Sequence, residues 1–146
     1  MPLRVQDTAF DIGAETAAFV AGVGGAGAVV TFTGLVRDEG GLLKAMQIEH
    51  YPGMTERAIA AMMDQARARW ALVDALVIHR HGRLMRGEAI MMVATAARHR
   101  VAAFEAAEFL MDYLKSRAPF WKQEIGVGGT AWVAATDADE AALDRW

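Results

Sequence analysis

The sequence predicts an α+β fold in one domain that spans residues 1–146. Two strongly apolar, strand-like segments at 71–80 and 88–97 are followed by a long helical pattern at 101–117. No internal repeat and no low-complexity linker divides the chain. A chain of 146 residues with 54% hydrophobic content is large enough to bury one substantial core.

The first quarter of the chain predicts a helix, a connector and a strand. Residues 10–21 are alanine-rich and helical in pattern, with Asp11 as a helix cap. The segment GVGGAGA at 22–28 has the spacing G-x-G-x-x-G that is found in dinucleotide-binding proteins. That motif belongs between a strand and a following helix, whereas here it precedes the strand-like residues 28–37. We interpret it as a flexible connector.

The strand predicted at 28–37 has alternating β-branched and aromatic residues. Three of its apolar side chains are predicted to share one face: Val30, Phe32 and Val36. A second strand is predicted at 43–51, and Pro52-Gly53 is a turn signal. A helix with Thr55 as its N-cap is predicted to run from there to Trp70.

The second half of the chain continues the mixed pattern. The strand at 88–97 is apolar almost throughout, so we expect it to be covered on both faces. Pro119 ends the helix at 101–117, because proline cannot continue a helix and pushes Ala118 toward extended geometry. The remaining predictions are a turn at HGRLMRG, strands at 120–125 and 130–134, and an acidic helix at 137–144.

Composition excludes several classes of protein. A net charge of −3 and a pI of about 5.8 argue against a nucleic-acid-binding surface. The chain has no cysteine, so it has no thiol nucleophile and no thiolate metal site of its own. The N-terminus has no signal-peptide pattern, and no apolar run reaches about 18 residues. We expect a cytoplasmic protein that does not bind a membrane.

The segment DYLKSRAPFWKQE places Lys115 and Lys122 on either side of Pro119. On the helix, residues at spacings of three and four share a face, so Lys115 ends a stripe that should be partly buried and that contains Phe104, Glu108 and Met111. Period-two alternation places Phe120, Lys122 and Glu124 on one face of the next strand. The proline corner can therefore turn both lysines toward one place. Alternatively, Lys115 extends into water past apolar neighbours and Lys122 is an ordinary strand-edge lysine.

Arg98, His99 and Arg100 lie between the apolar strand and the long helix. The first N–H groups of a helix add partial positive charge, so this segment is a reasonable anion-binding site. Arg37, at a strand end beside a glycine-containing loop, is a similar candidate. Solvated surface residues would give the same pattern in both places.

His79 and His81 lie on one strand face, at a spacing that can serve zinc. No cysteine or suitable acidic pair accompanies them, and no third ligand is identifiable. We therefore predict no metal site. The chain also lacks a G-x-S-x-G elbow and a Walker lysine in context, and no cofactor is expected.

Taken together, several stretches of the chain resemble the catalytic, large subunit of molybdopterin synthase. The combination of MDYLKSRAPFWK with an upstream His-Arg pair is highly specific. The matching stretches follow the family's order: GAVVTFTGLVR (27–37), IEHYPGM (48–54), VIHRHG (77–82), RHR (98–100), AFEAAEFLMDYLKSRAPFWKQE (103–124) and Trp132.

The resemblance implies transfer of two sulfurs to cyclic pyranopterin monophosphate, which forms the dithiolene of molybdopterin. The sulfur would arrive as a thiocarboxylate on the C-terminal Gly-Gly of a small ubiquitin-like carrier subunit. This would explain how a sulfur-inserting enzyme can lack cysteine. The chain ends in Asp144-Arg145-Trp146 and its Gly128-Gly129 is internal, so it is expected to accept that tail.

The resemblance also implies roles for individual residues. Lys115 is the principal catalytic lysine, and Lys122 assists as proton donor or charge stabiliser. Desolvation and neighbouring cations are expected to keep part of the Lys115 population neutral. The implied substrate-binding residues are Arg37, His99, Arg100, Phe32, Met111 and Glu124.

The fold implied by the resemblance is an α/β-hammerhead with additional antiparallel strands. The implied assembly is a homodimer with one small subunit at each outer end, a heterotetramer, in which Arg37 or His99 can serve the neighbouring subunit's site. The loop from Asp38 to Gly41 departs from the family pattern, which places a substrate contact from it in doubt. Two alternatives stay open: a non-catalytic homologue that binds the carrier or a pterin phosphate, and a structural dimerisation module.

Overall fold

The computed structural model describes residues 2–37, 40–41, 43–126, 129–133 and 136–146. The strands are β1 (Leu3–Gln6), β2 (Ala28–Leu35), β3 (Leu43–His50), β4 (Asp74–Arg80), β5 (Gly82–Met85), β6 (Ala89–Ala97), β7 (Phe120–Gly126) and β8 (Gly129–Val133). The helices are α1 (Ile12–Ala21), α2 (Met54–Trp70), α3 (Arg100–Ser116) and α4 (Asp137–Ala142), followed by a 3₁₀ turn at Leu143–Arg145. This mixture of strands and helices confirms the α+β prediction.

The first sheet has the strand order β1-β4-β6-β2. β1 pairs with β4 in parallel, while β4 and β2 flank β6 in antiparallel pairing. β6 is buried along its length from Ile90 to Ala97, which confirms the expectation drawn from its apolar sequence. Helices α2 and α3 cover one face of this sheet, and α1 packs on β2 and β6. Strand β2 is left as an edge of the sheet.

The second sheet is antiparallel throughout, in the order β5-β3-β7-β8. Strand β5 lies within the segment HGRLMRG, where the sequence predicted only a turn. Strand β1 was not predicted either. Each has four residues, too few for a periodic signal, and each is defined by the strand that it pairs with.

The prediction that Thr55 caps α2 is wrong. Gly53 is the N-cap, with a φ of 82° that a side chain would disfavour. The Glu56 carboxylate accepts a hydrogen bond from the Gly53 N–H. Thr55 is fully buried inside the helix, where its hydroxyl donates to the Tyr51 carbonyl at 2.9 Å. By contrast, Asp11 caps α1 as predicted and accepts the Ala14 N–H at 2.8 Å.

The glycine-rich segment after α1 connects that helix to β2, as the sequence predicted. Gly27 donates its N–H to the Ala97 carbonyl at 2.9 Å. A Cβ atom at Gly27 would lie 2.2 Å from the Arg98 carbonyl oxygen, so only glycine fits. Gly27 in this motif therefore allows the backbone at the start of β2 to lie close to the backbone at the end of β6.

The main core lies between the first sheet, the second sheet and the pair α2 and α3. Its fully buried members include Ile48, Ile59, Val77, Leu84 and Leu110. The Thr95 hydroxyl of β6 donates to the Ala103 carbonyl of α3 at 2.7 Å within this interior. A smaller cluster around Phe19 and Ile78 fills the opposite face of the first sheet. Among the described residues, no helix is long and apolar enough to cross a membrane.

Candidate functional site

The proline corner brings Lys115 and Lys122 to the same cavity, as the sequence predicted. Lys115 lies in the last turn of α3, and Lys122 is the third residue of β7. Between them the Ala118 N–H donates to the Tyr113 carbonyl at 3.2 Å, and the Phe120 N–H donates to the Ala118 carbonyl at 2.8 Å. These two hydrogen bonds fold the chain sharply around Pro119.

The cavity has a volume of about 80 Å³ and lies between α3, β7 and the β2–β6 edge of the first sheet. Its walls are mostly apolar, and the exceptions are two lysines and one histidine. The lining residues are Phe32, Gly34, Leu35, His79, Ile90, Met91, Met111, Leu114, Lys115 and Lys122.

The two lysines differ in their environment. Lys115 is exposed, whereas Lys122 is partly buried. Burial is the main cause that lowers the pKa of Lys122 to about 8, and the positive charge of Lys115 adds to it. The sequence predicted this desolvation for Lys115. The structure places it at Lys122, because Lys115 sits at an open helix end while Lys122 lies inside a sheet.

An acidic residue near the lysines was missed in the sequence. Asp139, in the first turn of α4, interacts electrostatically with both Lys115 and Lys122. Its pKa is lowered mainly by the hydrogen bond that its carboxylate accepts from the Thr136 N–H, and further by the two lysines. No local signal distinguishes Asp139 from the other acids of that helix, since its position depends on how α4 packs.

Phe32 and Met111 line the cavity as predicted, but Glu124 does not. Glu124 follows Lys122 on the same face of β7, about 7 Å further along the strand, and is exposed. The stripe that leads to Lys115 along α3 is also more open than predicted, because Phe104 is 59% exposed and Glu108 is exposed. Helix spacing correctly predicted the shared face, but not what covers it.

Arg37 lies near the cavity in the sequence. It stands two residues after Leu35, the last residue of β2, which lines the cavity. The Arg37 side chain is exposed. Of the loop that follows, Asp38 and Glu39 lie outside the described residues.

His99 and Arg100 are not brought to the lysines within one chain. His99 is the N-cap of α3 and Arg100 its first residue, and both are exposed. Arg100 and Lys115 are fifteen residues apart on one helix, which at 1.5 Å per residue places them about 22 Å apart along the axis. The N-terminal cations of α3 therefore do not line this chain's own lysine cavity.

His79 lies in the cavity wall, and the residue is only 3% exposed. It stacks on Phe120 with ring centroids 3.7 Å apart and an interplanar angle of 16°. Burial lowers the pKa of His79 to about 3, so the ring is neutral at physiological pH. The described ranges contain no group of three or more side chains able to hold a metal ion.

The chain matches the family model described as MoaE protein over residues 5–117. It is 69% identical to the molybdopterin synthase catalytic subunit of Cereibacter sphaeroides, over the full length of both chains. The protein of the same name from Ralstonia nicotianae is 54% identical, over 99% of this chain and 83% of that protein.

Solved structures agree with these matches. The molybdopterin biosynthesis MoaE protein from Burkholderia ambifaria superimposes with a TM-score of 0.84 at 48% identity, covering 99% of this chain and 96% of that one. Molybdopterin synthase from Staphylococcus aureus gives a TM-score of 0.83 at 26% identity, covering 92% of this chain and 98% of that one. The resemblance seen in the sequence is therefore confirmed: this chain belongs to the MoaE family, whose curated relatives are molybdopterin synthase catalytic subunits.

Proposed function

We propose that this chain is a sulfurtransferase, the catalytic subunit of a molybdopterin synthase. It would accept sulfur from the C-terminal thiocarboxylate of a small carrier subunit and install two sulfurs on cyclic pyranopterin monophosphate. Family membership supports this activity. The observation that carries it is the pair Lys115 and Lys122, supplied by different elements to one apolar-walled cavity in a chain without cysteine.

The charges of the two proposed reactants explain why two lysines meet here. A thiocarboxylate and a phosphorylated pterin are both anionic, and their approach in a partly dry cavity requires compensating positive charge. Lys115, at the open side, is suited to meet the carrier's terminal carbonyl carbon. Lys122, with a pKa of about 8, is mostly charged at pH 7 but is able to give up a proton. These are the roles we propose for the two residues.

The proposed partner is a small carrier whose flexible Gly-Gly tail enters the cavity. A solved structure from Helicobacter pylori is a complex of subunits 1 and 2 of molybdopterin-converting factor. It shares this fold, with a TM-score of 0.78 at 19% identity. Leu35 and Phe32, which are 54% and 43% exposed, give the cavity an open apolar wall on one side. A glycine tail has no bulky side chains, which suits it to a cavity of this small size.

The proposed assembly is a homodimer within a heterotetramer, acting in the cytoplasm. The separation of about 22 Å between Arg100 and Lys115 is longer than a single phosphorylated pterin. A second copy can bring its own His99 and Arg100 to this cavity. In the described part of the chain, strand β2 pairs on one side only, and Val101 and Phe104 on α3 are 62% and 59% exposed. Such apolar exposure favours a covered interface.

The test is reconstitution from purified components. The chain is mixed with a thiocarboxylated small subunit and cyclic pyranopterin monophosphate, and molybdopterin is measured as product. We expect turnover with the thiocarboxylated carrier and none with the same carrier ending in a plain carboxylate. Binding of both components without any turnover would instead support a non-catalytic homologue. Failure to bind either one would contradict the proposal entirely.

A further inference from the structure

We infer that His79 is a positioning residue for Lys122. Its ring nitrogen Nε2 would accept a hydrogen bond from a water molecule in the cavity, and that water would accept one from the Lys122 ammonium group. The neutral imidazole would thereby hold the lysine at the site of sulfur transfer. This inference rests on the proposed function for the role of Lys122, but the contact itself does not depend on it.

The His79 ring is fixed in place by two contacts. Its Nδ1 lies 2.8 Å from the carbonyl oxygen of Arg80. A carbonyl only accepts hydrogen bonds, so Nδ1 carries the proton and Nε2 presents a lone pair. Phe120 stacks on one ring face at 3.7 Å, which prevents the ring from turning. An imidazole held this way offers an acceptor in a single direction.

Lys122 shares the cavity with the His79 ring. Phe120 and Lys122 share a face of β7, about 7 Å apart, and Phe120 is already against the His79 ring. His79 and Lys122 both line the cavity and interact electrostatically. Within the described part of the chain, no protein group hydrogen-bonds Nε2. A cavity of about 80 Å³ has room for a bridging water.

The alternative role for His79, a base that removes the Lys122 proton, does not fit the magnitudes. The pKa of His79 is lowered to about 3, while that of Lys122 is about 8. Transfer of a proton from Lys122 to His79 would have to overcome a pKa difference of about five. Besides Lys122, the charges that bear on His79 come from His50 on β3 and from His81 after β4, and protonation of either would disfavour a charged His79 further. The ring therefore acts as a neutral acceptor.

The chain allows a direct measurement, because it has only three lysines, Lys44, Lys115 and Lys122. Lysine labelled with ¹³C at Cε gives three NMR signals, which Lys44→Arg and Lys115→Arg assign. An acceptor for the ammonium group favours its charged form. His79→Phe keeps a flat ring against Phe120 but removes the acceptor, so we expect the pKa of Lys122 to fall by about half a unit or more.

Two further variants separate the acceptor from the ring. His79→Gln offers an amide oxygen near the position of Nε2 and should keep the Lys122 titration close to that of the parent. His81→Gln changes a histidine that does not line the cavity and should leave the Lys122 signal unmoved. An unchanged Lys122 titration in folded His79→Phe would overturn the inference.

The parent protein gives a second test that needs no substitution. In ¹⁵N-histidine spectra we expect His79 as the neutral Nδ1–H tautomer down to pH 5. An Nε2–H tautomer could not accept a hydrogen bond and would refute the contact, even if His79→Phe fails to fold.

Activity then tests the role. In the reconstituted reaction, His79→Phe should lower kcat about tenfold with little change in KM for the pterin, and His79→Gln should recover most of the loss. Equal kcat in parent and His79→Phe would disprove positioning for catalysis. If the parent itself has no turnover, the proposed function fails, and the two NMR measurements still decide whether His79 and Lys122 are coupled.

Discussion

Lys115 and Lys122 lie on different elements, α3 and β7, but line one cavity and interact through their charges. Six residues, one of them Pro119, separate them in the sequence. Because the sharp turn at Pro119 is stabilised by backbone hydrogen bonds, the backbone positions from which the two lysines extend are set by the fold. Two like charges beside an apolar wall destabilise the free protein and attract an anion.

Removal of either cavity lysine is expected to abolish most of the activity. Lys115→Ala and Lys122→Ala should each reduce molybdopterin formation by about 100-fold or more, because each removes positive charge at the reacting centre. Lys44→Ala is the matched control, since Lys44 is exposed on β3 and does not line the cavity. Its rate should stay within about twofold of the parent. Undiminished turnover in Lys115→Ala would remove that residue from the mechanism.

Lys122 should lower the stability of the native protein at neutral pH. Its pKa is about 8 in the folded state, against an ordinary value of 10.5, so the unfolded chain holds the proton more tightly. The cost is fully present below pH 8 and disappears as pH rises toward 10.5. Lys122→Met should therefore raise the free energy of unfolding at pH 7 by about 1–3 kcal/mol. Urea denaturation of the parent and of Lys122→Met at pH 7 and pH 10 measures this difference in the free energy of unfolding. An equal gain at both pH values would contradict the explanation.

Mixed dimers should show whether the two ends of α3 serve different subunits. Lys115→Ala and Arg100→Ala are each expected to be nearly inactive alone. If a site combines Lys115 of one subunit with Arg100 of the other, a hybrid dimer keeps one intact site. Random exchange of equal amounts should then restore about a quarter of the parent activity. No recovery after verified subunit exchange would place both residues in one subunit's site.

Acid should weaken the contact between Glu88 and the buried Arg80. The Met85 N–H is the main cause that lowers the pKa of Glu88, followed by Arg80, whose guanidinium lies 3.1 Å from the Glu88 carboxylate. The stabilisation is present above the ordinary value of 4.5 and is lost as pH falls through the lowered pKa. Glu88→Gln should lower the free energy of unfolding by about 1 kcal/mol at pH 7. Denaturation at pH 3 should show little difference between variant and parent.

Gly27→Ala should be strongly destabilising despite its location in a glycine-rich connector. The new Cβ would meet the Arg98 carbonyl oxygen at 2.2 Å, so the start of β2 or the end of β6 must move. We expect a loss of about 2 kcal/mol or more in the free energy of unfolding. Gly24→Ala is the control, because a Cβ there meets nothing within 4 Å. Equal stability of the two variants would contradict this role for Gly27.

Much of the secondary structure could be predicted because its signals are local. The apolar run at 88–97 predicted a strand buried on both faces, and β6 is one. The cap at Asp11 and the helix stop before Pro119 depend on neighbours within a few residues. Strands β1 and β5 could not be predicted in this way, since four residues become a strand only when another strand pairs with them. The cap prediction for Thr55 was wrong because the sequence pattern is the same in two cases. A threonine near a helix start can precede the helix as its cap, or it can be buried in the first turn.

The sequence by itself determined the family, the two lysines around Pro119 and their meeting at one place, since helix and strand periodicity fix which side chains share a face. The tertiary structure alone decided which lysine is desolvated, because burial depends on elements distant in sequence that pack around Lys122. It also decided that His79 joins the cavity while Glu124 does not, and that Asp139 lies near both lysines. Because α3 is rigid, Arg100 stays about 22 Å from Lys115 along the helix axis. No local sequence pattern shows that this separation keeps the two residues out of one cavity.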